Sequence, residues 1–420
     1  MTIRPPARVH VRPGPLLLSG VDDGLSLRAH RARFGDLPRL DLDAVVGLAE
    51  SGSVRGRGGA GFPLARKLRT VADRSGLRPS RRPVVVVNAA EGEPASAKDE
   101  ALLGIAPHLV LDGAELAARA LGARRVHVVT SEDRPLIGRS VLDAIGERGD
   151  SRVTWTTHIA EGRFVAGQAR AVLELMAGRP GLPVTAWAPE AVDGHKGRPT
   201  LLSNAESWAH LAAAALVGPR RYAELGTADE PGTTLLTLTR PADHRGRIDV
   251  ATVVEVEHGA RAWQVLDAAA LAAPLLVGGF HGAWLHPRDL PSLTWSQAHL
   301  RSLGASLGAG AVVSLADGSC PVARTAQWTS YLADETAGRC GPCRNGLPAL
   351  AEEMRGLAEG ADTRRRVQEL TGLVTGRGAC AHPDGTSRLV RSLLTTLADR
   401  VDEHLLGACG CTADVPVRVA

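Results

Sequence analysis

The stretch Pro83–Pro94, PVVVVNAAEGEP, does most to limit what this chain can fold into. Four consecutive valines between a proline and a Gly/Pro-rich loop predict a strand covered on both faces, the signature of a parallel sheet. Parallel strands need crossover connections, and the chain offers them. Helices are predicted over Asp41–Glu50, Leu109–Leu121 and Leu136–Gly146, with a second strand at Val126–Thr130. In open α/β sheets, ligands bind beyond the carboxyl ends of the strands, which puts Asn88, Glu91 and Glu93 where a cofactor would sit. Asn88 brings an amide donor and acceptor. The two carboxylates can accept hydrogen bonds or position a second ligand.

Ahead of that strand runs RGRGGAGFPLARK, Arg55–Lys67. Gly56, Gly58, Gly59 and Gly61 free the backbone for close approach, and successive N–H groups in such a loop can form a concavity for an anion. Pro63 can open a helix, so the loop is expected to end at a helix N-terminus suited to phosphate. Arg55, Arg57, Arg66 and Lys67 add positive charge. A lone glycine run reads as a surface loop. Its place before the valine strand makes a phosphate cradle the better reading.

A chain of 420 residues holds two or three domains with sizeable cores. Net charge is +4 and aromatic content 3%, with no dense basic patch interleaved with aromatics, which argues against a nucleic-acid binder. No stretch of about eighteen apolar residues occurs and no signal peptide is read, so the expected location is cytoplasmic or peripheral on a membrane complex. The six cysteines, Cys320, Cys340, Cys343, Cys380, Cys409 and Cys411, all fall in the last quarter, which suits a metal or cluster site better than a disulfide framework. Lysine is almost displaced by arginine: Lys67, Lys98 and Lys196 alone remain, the first two close to the motifs above. That placement hints at a specific need for an ammonium.

RGRGGAGFP followed by NAAEGEP resembles the flavoprotein (NADH-binding) subunit of respiratory complex I, whose relatives occur in soluble NAD-linked hydrogenases and formate dehydrogenases. The resemblance implies FMN held by Gly56, Arg57, Gly58, Gly59, Lys67, Asn88, Glu91, Gly167 and Asn204, with Phe62, Glu91 and Glu93 meeting NADH. This chain departs from the family pattern. Ala90 replaces an Asp, Gln168 and Ala169 replace glutamates, Ser203 replaces an Asn, and Thr70 replaces an aromatic. The aromatic-plus-proline clamp for NADH has no clean counterpart, although Trp187 lies in its neighbourhood.

ETAGRCGPCRNG, Glu335–Gly346, resembles the family's E-S-C-G-x-C-x-P-C-R-x-G, which supplies three ligands to a [4Fe–4S] cluster, with a fourth cysteine some forty residues on. Cys380 suits that fourth place. Ala337 stands where the first cysteine would be, leaving Cys340, Cys343 and Cys380. The residues also admit a Cys₃His zinc site with His382, a thiol redox pair lacking its usual βαβ context, or a vestigial, empty site; the surviving frame around Ala337 ranks iron–sulfur first. Cys409 and Cys411 either fold back to the vacant corner or are tail thiols with no role there.

The expected architecture is therefore α/β, with a Rossmann-like FMN-binding domain and parallel sheet over residues 1–228. A β-grasp domain resembling the family's soluble-ligand-binding module follows at 229–310, and a helical iron–sulfur-binding bundle at 311–420. The β-grasp reading rests on strands at Thr233–Thr239, Gly246–Val250 and Val253–Glu257 and a helix at Ala260–Ala270. The bundle reading rests on helices near 320–335, 345–359, 363–375 and 386–404. Two functions follow from the resemblance. One is a flavin- and iron–sulfur-dependent oxidoreductase passing electrons from NADH or a partner via FMN to the cluster. The other is a relay homologue that keeps the fold without NADH oxidation. Either implies an electron-transfer partner such as a ferredoxin-like or thioredoxin-like iron–sulfur protein.

Overall fold

The computed structural model describes residues 3, 5–59, 61–76, 82–149, 152–241, 248–316 and 318–409. Gly246 and Arg247 of the strand expected at Gly246–Val250, and Cys411, lie outside them.

The valine run forms β2 (Val84–Ala89), central in a sheet with β3 (Arg125–Ser131), β4 (Thr154–Ala160) and β5 (Thr200–Asn204), in the order β4-β3-β2-β5. All its pairings are parallel. Burial follows the pleat. Val85 and Val87 enter the large core under the helices Pro107–Ala120 and Ala205–Val217, while Val84 and Val86 face Ala166, Val172, Leu173 and Met176 on the other side. The elements that escaped the sequence reading include two that complete this layer. β4, TWTTHIA, is an edge strand in which Ala160 alone is buried, with no clean apolar alternation. The helix Ala205–Val217 is buried almost all round, so it shows no amphipathic period.

The second sheet is six-stranded and mixed, in the order β1-β7-β6-β10-β8-β9. It comprises β1 (Arg8–Val11), β6 (Thr233–Thr239), β7 (Val250–Glu257), β8 (Leu275–Val277), β9 (Ala283–Leu285) and β10 (Ala311–Ser314). The β1 strand lies parallel to β7, so the N-terminal segment completes a sheet expected to begin at residue 229, and β10 carries that sheet past residue 310. Glu255 of β7 holds the crossing chain by accepting the N–H groups of Leu16, Leu17 and Leu18. The helix expected over Ala260–Ala270 is two short turns, Ala262–Gln264 and Ala268–Leu271, because Asp267 caps a new start by accepting from the N–H of Ala270.

The last region is helical: Pro321–Asp334, Leu347–Ala358, Arg364–Val374, His382–Thr396 and Ala398–Leu405 pack around Trp328, Leu350, Met354 and Leu393. The single helix expected over 386–404 breaks at Leu397, where φ is −114°.

Candidate functional site

Strand order reverses between β2 and β5, since the chain steps outward from β2 through β3 to β4 and returns to the other side of β2. Asn88 and Asn204 face each other across that seam, paired in register at the carboxyl ends of the two strands. Asn204 caps the following helix by accepting from the N–H of Ser207. The Ser207 hydroxyl accepts from the N–H of Arg57 at 3.0 Å and donates to the carbonyl of Arg55, which pins the glycine loop above the seam. A Cβ built on Gly58 would lie 3.9 Å from that of Asn204, so the loop passes directly over the seam. The loop closes on itself through the Gly56 N–H to the Phe62 carbonyl, and Gly59 and Gly61 adopt positive φ with open space beside them. Lys67, on the helix Leu64–Gly76, donates to Glu190 at 2.9 Å and to the carbonyl of Leu202 in β5. Glu190 sits below the usual carboxylate range: burial opposes ionisation, and the Lys67 charge overcomes it.

Three expected ligand residues turn out to be occupied by the protein itself. The Arg57 side chain turns inward, 9% exposed, and donates to the Thr233 carbonyl and to His258 Nε2. It is therefore unavailable to a phosphate as a side-chain donor. Glu91 caps the helix Lys98–Ile105, accepting from the Ser96 hydroxyl and the Lys98 N–H. Glu93 is buried and accepts from the N–H groups of Ala95 and Phe280, locking the first sheet to the second, and burial pushes its carboxyl up to about 8. Phe62 remains at the surface, 41% exposed, with the Arg66 guanidinium over its ring.

Beneath the seam lies a network whose carboxylates, Asp99 and Glu206, sequence reasoning missed, although the scarcity of lysine pointed to Lys98. Lys98 is 3% exposed and reaches Asp99 at 2.7 Å and Glu206 at 3.1 Å. Asn204 Nδ2 lies 3.5 Å from Asp99, and Arg57 Nε is 4.0 Å from Glu206. Burial opposes the ionisation of Glu206, yet Lys98, His210 and Arg57 pull its pKa far below normal. His258 is pushed down to about 3 by burial and by Arg57.

A single turn, Phe164–Gly167, connects this site to the cysteine loop. Its Gly167 carbonyl accepts from Asn88 Nδ2 at 2.8 Å, while the Phe164 N–H donates to Glu335 at 2.9 Å and Arg163 donates to the Thr336 carbonyl at 2.9 Å. Packing allows no side chain at two points here. A Cβ on Gly167 would lie 2.4 Å from the Ala90 carbonyl oxygen, and one on Gly92 would lie 2.5 Å from that of Phe164.

Beyond Glu335 the chain turns through Cys340 and into a π-helical turn, Pro342–Gly346, that carries Cys343. The two sulfurs are 3.4 Å apart. Burial opposes Cys340 ionisation, but N–H groups of Ala379 and Cys343 aimed at its sulfur lower its pKa. Contact with Ala379 brings the neighbouring Cys380 to the same place. Cys380 is pushed up to about 11, first by burial and then by the other two thiols. His382 is committed elsewhere: Nε2 meets the Leu332 carbonyl at 2.7 Å and Nδ1 meets His281 at 3.0 Å. With both ring nitrogens engaged it does not complete a zinc set.

Comparison with known proteins agrees with both halves. Residues 49–213 match the family described as Nuo51 FMN-binding domain, and residues 323–404 match the NADH-ubiquinone oxidoreductase-F iron-sulfur binding region. The chain is 27% identical over 396 residues to a subunit of the NADH-quinone oxidoreductase of Streptomyces coelicolor, covering 89% of this chain and 85% of that one. It is also 27% identical over 412 residues to the HndC subunit of the NADP-reducing hydrogenase of Solidesulfovibrio fructosivorans, covering 92% and 80%. Among solved structures, a chain of the air-oxidized NAD+-reducing [NiFe]-hydrogenase superposes with a TM-score of 0.79 at 26% identity, covering 95% of this chain and 68% of that one.

Proposed function

We propose that the chain is a divergent member of the family of flavoprotein subunits found in NADH-quinone oxidoreductase and NAD-linked hydrogenases, and that it relays electrons from FMN to an iron–sulfur cluster within a larger assembly. The observation that carries this reading is the Phe164–Gly167 turn, bonded at one end to Asn88 beside the flavin-type seam and at the other to the cysteine loop.

The residues present fit both groups. Open space beside Gly59 and Gly61 suits a phosphate-bearing ligand approaching the loop's backbone. Asn88 and Asn204 stand at the seam to meet a ring edge, and Lys67 carries the nearby charge. Three thiols with backbone N–H groups aimed at a sulfur suit an iron–sulfur cluster better than a lone hydrophobic thiol pair. When bound, a flavin takes up an electron pair and a cluster passes electrons singly. The chain's own part is positional. The Ser207 clamp holds the glycine loop, Asn88 fixes the Gly167 carbonyl, and Arg163 holds the cysteine loop in place.

NADH oxidation by this chain alone is expected to be slow. Glu91 and Glu93, expected to meet the dinucleotide, are used inside the fold, and Thr70 stands in place of a clamp aromatic, its hydroxyl bonded to the Arg66 carbonyl. Poor positioning of the nicotinamide lowers the rate directly. The reduced donor is then a partner protein, and the partner on the acceptor side is an iron–sulfur protein of ferredoxin-like or thioredoxin-like type. The site of action is cytoplasmic or at the periphery of a membrane complex. Among the described residues no single helix is long and apolar enough to cross a membrane.

A visible spectrum tests the reading. Anaerobically reconstituted protein should bind FMN stoichiometrically, bleach with dithionite, and bleach only slowly with NADH. Absence of stoichiometric FMN binding at excess flavin would overturn the flavin half. Fast ferricyanide reduction at micromolar NADH would instead make it a self-sufficient NADH dehydrogenase.

A further inference from the structure

The sequence left Cys409 as a candidate for the vacant iron corner. The structure puts it elsewhere. Its sulfur, the Cys320 sulfur and a ring nitrogen of His404 all lie within 4.8 Å of one another. Cys320 immediately precedes the helix Pro321–Asp334, and the cysteine loop begins where that helix ends. Fourteen helical residues span about 20 Å, so this group and the iron-type thiols sit at opposite ends of one helix.

We propose that Cys320, His404 and Cys409 bind a single zinc-class divalent ion, separate from the iron site. Four features support this. Two thiols and an imidazole are a standard donor set for such an ion. The Cys320 sulfur and His404 Nδ1 are 3.3 Å apart, close to the roughly 3.6 Å that tetrahedral zinc bond lengths imply for a sulfur–nitrogen pair. His404 Nε2 lies 3.1 Å from the Ala358 carbonyl and so must carry the proton, which leaves Nδ1 with its lone pair toward the sulfurs. A backbone carbonyl holding the far ring nitrogen is the usual outer support of a metal-bound histidine. Finally, Cys320 is 1% exposed and fixed at the start of a helix, so its sulfur is held in place and shielded from solvent where the other two donors converge.

The three donors come from the first helix of the bundle and from its end, so an ion would clasp the segment after Leu405 onto the start of the bundle. The role is structural and does not depend on flavin chemistry.

Metal analysis of the full-length purified chain tests it. About one zinc per chain is expected beyond the iron. Cobalt(II) added to chain already carrying its iron should give the intense visible bands of tetrahedral thiolate coordination. Cys409→Ser and His404→Gln should each weaken cobalt binding more than about 100-fold while leaving iron and flavin content unchanged. These two side chains are partly exposed, so the variants avoid the risk that a change at buried Cys320 simply prevents folding. Absence of cobalt bands, bands that persist in both variants, or a Cys320–Cys409 disulfide in native protein by mass spectrometry would each overturn the proposal.

Discussion

The two ends of the molecule have each lost a residue of the family pattern, and they have absorbed the loss in opposite ways. At the flavin end Ala90 replaces an Asp and is 6% exposed, packed with Val84, Val86, Ala166 and Val172. Apolar packing has closed over the position, and the Gly167 backbone presses on the Ala90 carbonyl. At the cluster end Ala337 replaces a cysteine in a partly exposed stretch without regular structure. The flanking Glu335 and Thr336 keep their bonds to Phe164 and Arg163. One loss has become part of a core. The other leaves a held frame with one donor missing. A position sealed by packing resists reversal, whereas one held by its backbone admits it.

The largest effect expected is at the buried ionic network under the flavin seam, which has no counterpart among the described residues of the cluster end. Lys98→Ala would leave Asp99 and Glu206 buried without their cation, and removal of one partner from such a network costs about 3–5 kcal/mol. Urea denaturation measures it. A loss below about 1 kcal/mol would mean that Arg57 and His210 suffice for Glu206, and that the seam is not built around Lys98.

Next comes restoration of the Asp. Ala90→Asp is expected to destabilise the flavin-free chain by at least about 2 kcal/mol, because a carboxyl enters an apolar cluster. If FMN binding is rescued and stability is unchanged, the position was never sealed. The present chain should bind FMN more weakly than a relative with the full pattern. Two missing hydrogen bonds at about 0.5–1.5 kcal/mol each amount to roughly tenfold or more in affinity.

Acid should separate the two ends further. His258 is held down to about 3 by burial and Arg57, and His127 to about 4 by burial and the nearby His158 and His195. Both lie in the half that carries the two sheets. Their folded pKa values fall below the unfolded value near 6.5, so their contribution is fully present above about pH 6.5. It is lost as pH falls toward 4 and then 3, at about 1.4 kcal/mol per pH unit for each group. The helical bundle carries one such group, His382, held at about 4 by burial. The sheet half carries more of them, so hydrogen exchange between pH 6.5 and 4.5 should show the sheet half losing protection first, with the bundle following. His258→Gln should flatten the slope, and an unchanged slope would place the acid lability elsewhere.

How much of this the sequence disclosed depended on whether a feature was local. The valine strand, the glycine loop and the Cys340–Cys343 turn are contiguous, so spacing and residue type disclosed them. The edge strand Thr154–Ala160 and the all-round buried helix Ala205–Val217 carry no clean period and were missed. The inward turn of Arg57 was also hidden. Its partners, Thr233 and His258, lie some two hundred residues away, and charge alone suggested a phosphate ligand. Cys409 was misplaced for a related reason: the distant Cys320 and His404 are what locate it.

The smallest effect on stability is expected at Ala337, and it is the sharpest test of the contrast. Ala337→Cys adds one sulfur to a partly exposed stretch already anchored on both sides, by Thr336 to Arg163 and by the turn at Gly338, where φ is 65°. Nothing there must be desolvated or repacked, so the change in unfolding free energy should stay within about 0.5 kcal/mol. Its chemical effect should be larger. A fourth thiolate completes the set usual for a [4Fe–4S] cluster, and the corner iron becomes harder to remove. With chelator in excess, the parent chain should settle at roughly three irons and the variant should keep roughly four. The signature of a three-iron cluster in electron paramagnetic resonance should diminish in parallel. Cys340→Ser in the same background should abolish cluster retention altogether, which separates a repaired site from iron bound at random. Equal iron loss from the parent and the Ala337→Cys variant would mean the frame between Glu335 and Cys343 no longer has the shape of a cluster site, and that both ends have sealed their losses alike.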